Sequence, residues 1–292
     1  MDNRTCAFPG CGNGGKLRRG WCGKHHERFR KHGDPSVVKT TRGNRTRKYS
    51  VDCEYFDQVD TPEKAYWLGF ITADGGIVQT RASVSLNLEL SEVDAGHLLK
   101  FARALGSDAP IVATRHGCVC IRLHSRRLAD GLDALGVGIR KSLIVEPPLE
   151  SLAGLEPYYW RGLWDGDGFV STRKDNGAKW TIGVCGSFAC VDGFASWARQ
   201  VSGSVAASEN NSCKRNPSFW RWAVTGTRKS QLLAEQLRLA GPGFGLDRKQ
   251  VRLEAICAFD LDEHEAQVNS RRSVAAREAW ATGRHPRARS AA

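Results

Sequence analysis

The sequence contains one nine-residue pattern twice, and this repeat constrains the fold more than any other feature. The copies read WLGFITADG at 67–75 and WRGLWDGDG at 160–168. Each is an apolar stretch with Gly at its third position and Asp-Gly at its end. One such stretch is a weak signal, but two of them predict a duplicated unit that brings Asp74 and Asp167 together.

The small residues of each copy have helical spacing. Gly69 and Ala73 stand four positions apart in the first copy, as do Gly162 and Gly166 in the second. Residues with this spacing share one face of a helix, and small side chains on such a face allow two backbones to approach closely. The pattern therefore predicts two helices packed against each other through these faces.

The two carboxylates lie in an unfavourable place on such helices. Gly75 and Gly168 are positioned to end them, so Asp74 and Asp167 fall in the last turn, where the helix dipole disfavours negative charge. A bound cation offsets that cost, and paired carboxylates suit Mg²⁺, which also binds phosphate groups. The alternative is two packed core helices that merely end in Asp. The occurrence of a matched pair favours the metal site.

The motifs resemble those of the LAGLIDADG homing endonucleases, in the single-chain form that carries two motifs. The resemblance extends over about 55–258 and includes the segments YFD (55–57) and TPEKAY (61–66) ahead of the first motif. In that family the last acidic residue of each motif coordinates the catalytic metal ion. The resemblance therefore implies that Asp74 and Asp167 are the Mg²⁺ ligands and catalytic residues.

Two further pairs of matched positions take their meaning from the resemblance. Thr72 in the first motif stands where the second has Asp165, at a position that varies in the family and is not the catalytic one. Each repeat also ends in an Arg-Lys pair, and the family uses a basic residue near the scissile phosphate. Lys141 and Lys249 are therefore candidate catalytic residues, with plain surface charge as the alternative.

Charge and composition limit the partners of the chain. It has 43 Lys and Arg against 31 Asp and Glu, a formal net charge of +12, which favours nucleic acid before an anionic membrane. We expect a cytoplasmic protein, associated with the nucleoid or encoded by a phage in a bacterial host, because transmembrane and signal segments are lacking. In that compartment the ten Cys residues indicate metal ligands and buried thiols before disulfides.

Residues 1–35 are predicted to form a zinc-finger-like module. The candidate ligands, spaced C-x4-C-x10-C-x2-H, are Cys6, Cys11, Cys22 and His25. This spacing is close to that of a structural Zn²⁺ site, and His26 is an alternative fourth ligand. So short a segment has too little core to fold without its metal. A disordered leader with incidental Cys is the alternative.

Basic segments flank the repeats. Residues 36–54 are predicted to be a basic linker, and residues 261–292 a basic tail with a helix at 267–281. Either segment can contact phosphates through its Lys and Arg side chains. The alternatives are a solvated tether and a disordered tail.

The rest of the chain repeats one order of elements, in a first unit at 55–150 and a second at 151–260. Alternating apolar residues predict strands around 84–90, 119–123, 180–184 and 220–224. Helices are expected at about 92–105, 126–135, 188–201 and 228–239. The predicted fold class is α+β, with two αββαββα repeats related by a pseudo-twofold axis and forming one antiparallel β saddle.

Such a saddle predicts the DNA contacts, because a two-stranded ribbon fits the major groove. The candidates are the polar residues of the strand faces and hairpins. They are Gln79, Arg81, Ser83, Ser85, Asn87, Arg115, Arg122, His124, Arg173, Lys179, Lys214, Arg215 and Arg221. For any single one of them an ordinary exposed sheet face is the simpler interpretation.

Together these features predict a monomeric, site-specific, double-stranded DNA homing endonuclease that hydrolyses phosphodiester bonds with Mg²⁺. By resemblance, it cuts across the minor groove, leaves short 3′ overhangs and spreads its own gene, an intron or an intein. The start at Met favours a free-standing or intron-encoded protein. The alternatives are an intron RNA maturase and a DNA-binding regulator that does not cleave. An unrelated zinc enzyme is disfavoured, because four protein ligands leave no open position on the metal.

Overall fold

The computed structural model describes residues 5–14, 16–37, 48–81, 83–141, 144–152, 154–172, 180–212 and 218–282, without the side chains of 264, 265 and 268. Contacts divide the chain into two compact units, Met1–Lys48 and Tyr49–Ala292, which we describe separately. No helix within the described ranges has the length and apolar character needed to span a membrane.

The small unit is a set of Cys-rich turns followed by one helix. Helix α1, Gly23–His32, begins directly after Cys22 and ends at Gly33, whose φ of 74° lies in the left-handed region. Glycine adopts this conformation without the cost that a Cβ atom would add.

The large unit contains two repeats with the same order of elements. The first consists of α2 (Pro62–Asp74), β1 (Gly75–Gln79), β2 (Val84–Ser91), α3 (Ala95–Ala104), β3 (Val112–Ala113), β4 (Cys118–Leu123) and α4 (Arg126–Ala134). The second consists of α5 (Glu156–Asp167), β5 (Gly168–Thr172), β6 (Trp180–Gly186), α6 (Phe188–Ser202), β7 (Glu209–Asn210), β8 (Trp220–Thr225) and α7 (Thr227–Leu239). Two further helices follow: α8 (Asp247–Cys257) and α9 (Leu261–Ala281).

Each repeat forms one four-stranded antiparallel sheet, in the order β1-β2-β4-β3 in the first and β5-β6-β8-β7 in the second. The register places apolar residues of neighbouring strands opposite each other, as at Leu86 with Leu123 and Ile182 with Val224. One face of each sheet is therefore apolar and faces the core. The predicted α+β class with two αββαββα repeats is confirmed.

The motif helices α2 and α5 pack against each other in the centre of the core. Every residue of α2 from Ala65 to Thr72 is buried, and α5 is buried from Tyr159 to Asp165. A helix that is covered on all sides needs apolar residues around its whole circumference. This explains why neither motif shows the one-sided pattern of a surface helix.

The sequence expectations differ from the structure in two details. Residues 92–94 form a 3₁₀ turn ahead of α3, where one continuous helix was expected. Helix α9 begins at Leu261, earlier than the predicted 267, because the side chain of Asp260 caps it by accepting a hydrogen bond from Glu263 N. All its described residues except Leu261 and Ala279 are exposed.

Candidate active site

Four small residues allow α2 and α5 to touch through their backbones. A Cβ atom added to Gly69 would lie 2.0 Å from the Tyr159 carbonyl oxygen, and one added to Gly162 would lie 2.0 Å from the Tyr66 carbonyl oxygen. A Cβ on Gly166 would lie 2.3 Å from the Ala73 Cβ. No larger side chain fits between the helices at these positions, so the small faces meet as the sequence predicted.

This packing brings the last residues of the two helices together. Asp74 ends α2 and Asp167 ends α5, and a Cβ on Gly166 would be only 3.2 Å from Asp74 Oδ2. The residues that follow, Gly75 and Gly168, are extended, with φ of −78° and −85°. They end the helices without the left-handed conformation, and each leads directly into a strand.

The surroundings of the two carboxyl groups oppose negative charge. Both side chains reach solvent, but the protein beneath them raises the pKa of each by desolvation. The pKa of Asp167 is raised to about 6, first by burial and then by the charge of Asp74. Two exposed carboxylates at adjoining helix ends offer hard oxygen ligands whose repulsion a divalent cation would relieve. The pair therefore fits Mg²⁺, and Asp74 and Asp167 are the residues that would hold it.

A buried lysine lies at the end of each motif helix. Lys141 Nζ donates hydrogen bonds to the carbonyl oxygens of Thr72 (2.6 Å) and Ala73 (3.2 Å). Lys249 Nζ donates to those of Trp164 (2.6 Å) and Gly168 (2.7 Å). A cation in this place is stabilised by the helix dipole and satisfies otherwise unpaired carbonyl groups.

These lysines are 5% and 4% exposed, so the alternative of plain surface charge is wrong. Burial lowers the pKa of both, that of Lys249 to about 8. The carboxylates of Asp74 and Asp167 act in the opposite direction and favour the charged ammonium groups. Each lysine therefore adds a positive charge beside the paired carboxylates.

Thr72 and Asp165, which occupy matched positions in the two motifs, are both buried, at 3% and 1% exposure. Thr72 Oγ1 donates to the Leu68 carbonyl oxygen at 2.8 Å. Asp165 is ion-paired with Arg161, Nε to Oδ2 at 3.0 Å, with both side chains fully buried. Sequence reasoning missed this pair. The signal was present, because two charged residues four positions apart within an apolar helix must find each other or another partner.

In the small unit the predicted zinc ligands converge. The ligand atoms of Cys6, Cys11, Cys22 and His25 all lie within 4.8 Å of one another. His25 Nδ1 is 3.3 Å from Cys6 Sγ and 3.4 Å from Cys22 Sγ, and the Sγ atoms of Cys11 and Cys22 are 4.0 Å apart. Tetrahedral Zn–S bonds of about 2.3 Å place sulfur atoms about 3.8 Å apart, so the cluster fits Zn²⁺. His26 is not a member of it.

Most candidate DNA contacts in the described ranges are accessible. Gln79, Arg81, Ser83, Arg115, Arg122 and His124 are exposed, and Asn87 and Arg221 are half-buried. Ser85 is the exception: it is 4% exposed and donates its hydroxyl to Asn87 Oδ1, so we leave it out of the contact surface. Arg173, Lys179, Lys214 and Arg215 lie outside the described residues.

The outer face of the first sheet has one defined polar pair. Asn87 and Arg122 are opposite each other on β2 and β4, and Arg122 Nε donates to Asn87 Oδ1 at 3.2 Å. In the second sheet Arg221 lies over the ring of Phe169, 4.7 Å from its centroid. Both arginines are therefore oriented by a neighbour and present a guanidinium group on the face away from the core.

No protein-family model matches the sequence, and no curated protein matches it. Among solved structures, the chain is similar to the I-LtrWI LAGLIDADG homing endonuclease bound to target DNA, with 12% identity, a TM-score of 0.44 and coverage of 75% of this chain and 96% of the other. It is also similar to the meganuclease I-SmaMI bound to uncleaveable DNA, with 12% identity, a TM-score of 0.45 and coverage of 66% and 88%. A third similar structure is the LAGLIDADG meganuclease I-CpaMI bound to uncleaved DNA, with 11% identity, a TM-score of 0.42 and coverage of 67% and 89%.

Proposed function

We propose that this protein is a Mg²⁺-dependent, site-specific endonuclease of double-stranded DNA. The observation that carries the proposal is the meeting of two motif carboxylates at the ends of two matched helices, with a buried lysine at each end. A chain that only needed a packed helix pair would gain stability from neutral residues at Asp74 and Asp167, because both have raised pKa values. Retaining both charges indicates a ligand that needs them.

Each residue of the site has a separate role in this proposal. Asp74 and Asp167 hold the metal, and the small faces of α2 and α5 fix the distance between them. Mg²⁺ held there would supply an activated water at neutral pH and would stabilise the negative charge of the leaving oxygen. Lys141 and Lys249 keep the helix ends in place and contribute positive charge where the phosphate accumulates negative charge.

The outer faces of the sheets are the proposed DNA surface. The net charge of +12 favours a polyanion, and a strand pair has the width to enter a major groove. Asn87, Arg122 and Arg221 are held in place by neighbours and are the contacts that we propose to read base edges. Arg81 and Arg115 are exposed in hairpins and suit phosphate contacts.

The small unit is proposed to be a structural zinc module that adds DNA affinity. Zn²⁺ held by Cys6, Cys11, Cys22 and His25 would fix the start of α1, which is rich in basic residues. Glu27 neutralises part of this helix through Arg30 and Lys31. The remaining charge suits phosphate contacts that do not depend on sequence.

A cleavage assay on pooled genomic fragments, with sequencing of the ends, tests the function. Discrete double-strand cuts are expected with Mg²⁺ and not with EDTA. Asp74→Asn and Asp167→Asn should each abolish cutting and retain DNA binding, whereas Asp130→Asn, at an exposed site on α4, should cut normally. Normal cutting by Asp74→Asn would refute the metal assignment. Specific retention of DNA or intron RNA without any cut by the unmodified protein would favour the regulator or the maturase.

A further inference from the structure

The two halves of the site differ in a buried contact between the motif helices. Tyr66 and Tyr159 occupy matched positions, both fully buried, and each reaches across to the other helix. Tyr159 OH donates to Thr72 Oγ1 at 3.3 Å, whereas Tyr66 OH donates to Asp165 Oδ2 at 2.8 Å. The cross-helix contact therefore ends on a neutral hydroxyl in one half and on a carboxylate in the other, where Tyr66 OH also lies 3.1 Å from His97 Nε2.

Asp165 Oδ2 is the centre of a fully buried network. It accepts from Tyr66 OH (2.8 Å), from Arg161 Nε (3.0 Å) and from the backbone N–H of Leu246 (2.8 Å). Arg161 in turn donates to the carbonyl oxygen of Leu237 at 2.5 Å and to Gln250 Oε1 at 2.9 Å. These bonds join α5 to α2, to the end of α7 and to α8.

The chain makes room for this network. A Cβ atom on Gly241 would lie 2.3 Å from Arg161 Nη1, and one on Gly245 would lie 2.6 Å from Arg161 Nη2. A buried ion pair seldom stabilises a fold more than apolar residues of similar volume would. Stability alone therefore does not account for this pair and the glycines around it.

The contact with Leu246 connects Asp165 to the start of α8. Leu246 immediately precedes α8, and Lys249 lies in the first turn of that helix. The bond from Leu246 N to Asp165 fixes the start of α8 against α5. The same placement sets Lys249 Nζ on the carbonyl oxygens of Trp164 and Gly168. In the first repeat Lys141 itself lies in a 3₁₀ element instead of an α-helix, and Thr72 donates within its own helix.

We propose that Asp165, oriented by Arg161 and Tyr66, is a positioning residue that sets Lys249 against the end of α5, and that the second half of the site alone depends on it. This proposal rests on the proposed endonuclease function for its catalytic consequence. If the protein is an endonuclease, the two halves of its site are then not equivalent. Removing the Asp165 carboxylate slows the cleavage of one DNA strand more than that of the other.

The placement of Lys249 is tested without any cleavage, by competitive reductive methylation of the full-length protein followed by mass spectrometry. Asp165→Asn removes the charge of the acceptor and so weakens the bonds from Leu246 N and Tyr66 OH. The methylation rate of Lys249 should then rise about tenfold, while that of Lys141 stays constant. Tyr66→Phe should raise the Lys249 rate less, and its matched control Tyr159→Phe should leave it unchanged. Equal changes in the methylation rates of both lysines would overturn the proposal. An unchanged Lys249 rate in Asp165→Asn, or in Tyr66→Phe, would also overturn it.

The catalytic consequence is tested with a duplex target labelled differently on each strand, at saturating protein and Mg²⁺. Asp165→Asn should accumulate duplex nicked always in the same strand, whereas Tyr159→Phe should cut both strands in the wild-type ratio. A uniform slowing of both strands would refute the half-site dependence, even though the protein is an endonuclease. If the wild type cuts no DNA while Lys249 alone gains methylation, the endonuclease function fails and the positioning of Lys249 by Asp165 stands. Tyr66→Phe carries both tests if Asp165→Asn does not fold.

Discussion

The close contact between the motif helices makes Gly162→Ala the most informative single substitution. The added Cβ would lie 2.0 Å from the Tyr66 carbonyl oxygen and 2.8 Å from Phe70 N. Carbon and carbonyl oxygen settle at about 3.3 Å, so α2 and α5 must separate by about 1.3 Å. Backbone atoms cannot rotate away as a flexible side chain would. We expect the free energy of unfolding to fall by at least about 1–3 kcal/mol, the usual cost of overpacking a core.

The same separation moves Asp74 away from Asp167. A displacement of about 1 Å in a catalytic group can cost about 100-fold in rate, so cutting should fall by about that factor even where the variant is fully folded. Urea unfolding and single-turnover cleavage measure the two effects. Gly96→Ala is the matched control: it lies in helix α3 with no atom within 4 Å of its added Cβ, and it should stabilise the protein by about 0.5–1 kcal/mol. Wild-type stability and cleavage in Gly162→Ala would refute the packing argument.

Three further predictions concern protons and zinc. Because the pKa of Asp167 is raised to about 6, protons compete with Mg²⁺ below that pH, and cutting at subsaturating Mg²⁺ should rise about tenfold per pH unit up to about pH 6. The raised pKa also means that protonation favours the folded state, so without Mg²⁺ the free energy of unfolding should fall as pH rises through about 6. Urea unfolding in the presence of EDTA measures this dependence, and Asp167→Asn should reduce it. An unchanged dependence on pH in that variant would contradict the assignment of the pKa to Asp167. Cys11→Ser should release the bound zinc, measured with a colorimetric chelator, while His26→Ala retains it and Cys11→Ser still cuts at saturating protein.

The central helix pair could be predicted because its cause is local in the sequence. The spacing of Gly69 and Ala73 specifies a face, and the matched spacing of Gly162 and Gly166 specifies the partner. The four candidate zinc ligands were found in the same way, from their spacing, and their ligand atoms do lie together. The alternation of apolar and polar residues also predicted which face of each sheet is buried. Successive side chains of a strand point to opposite faces, so the apolar set identifies the face toward the core.

The rest depends on neighbours that no local pattern reveals. Ser85 has the alternation of an exposed residue, yet it is covered, and only the tertiary packing determines that. The burial of Lys141 and Lys249 could not be predicted, because their distance from the helix ends is set by the intervening fold. The ion pair of Arg161 and Asp165 was visible as two charges in an apolar helix, but its partners come from α2 and from the start of α8.

The two repeats have neutral residues in one motif helix and charged residues in the other at the same two buried positions, so they can be compared directly. The first repeat has Leu68 and Thr72 where the second has Arg161 and Asp165. Arg161→Leu leaves the carboxylate of Asp165 buried without its cation, so the free energy of unfolding should fall by about 3–5 kcal/mol. Adding Asp165→Thr removes that stranded charge, and the double variant should recover at least about 2 kcal/mol relative to Arg161→Leu.

A double-mutant cycle in urea, with Asp165→Thr as the remaining corner, measures this coupling. Additive losses would mean that the ion pair is not an interacting unit, and the argument that it joins α5 to α8 would fail with it. If the double variant recovers stability but Lys249 is methylated faster, the contribution of the ion pair to stability is separate from its contribution to the placement of Lys249. The fold then does not need the charges, whereas the placement of Lys249 does, because the carboxylate of Asp165 accepts from both Leu246 N and Tyr66 OH.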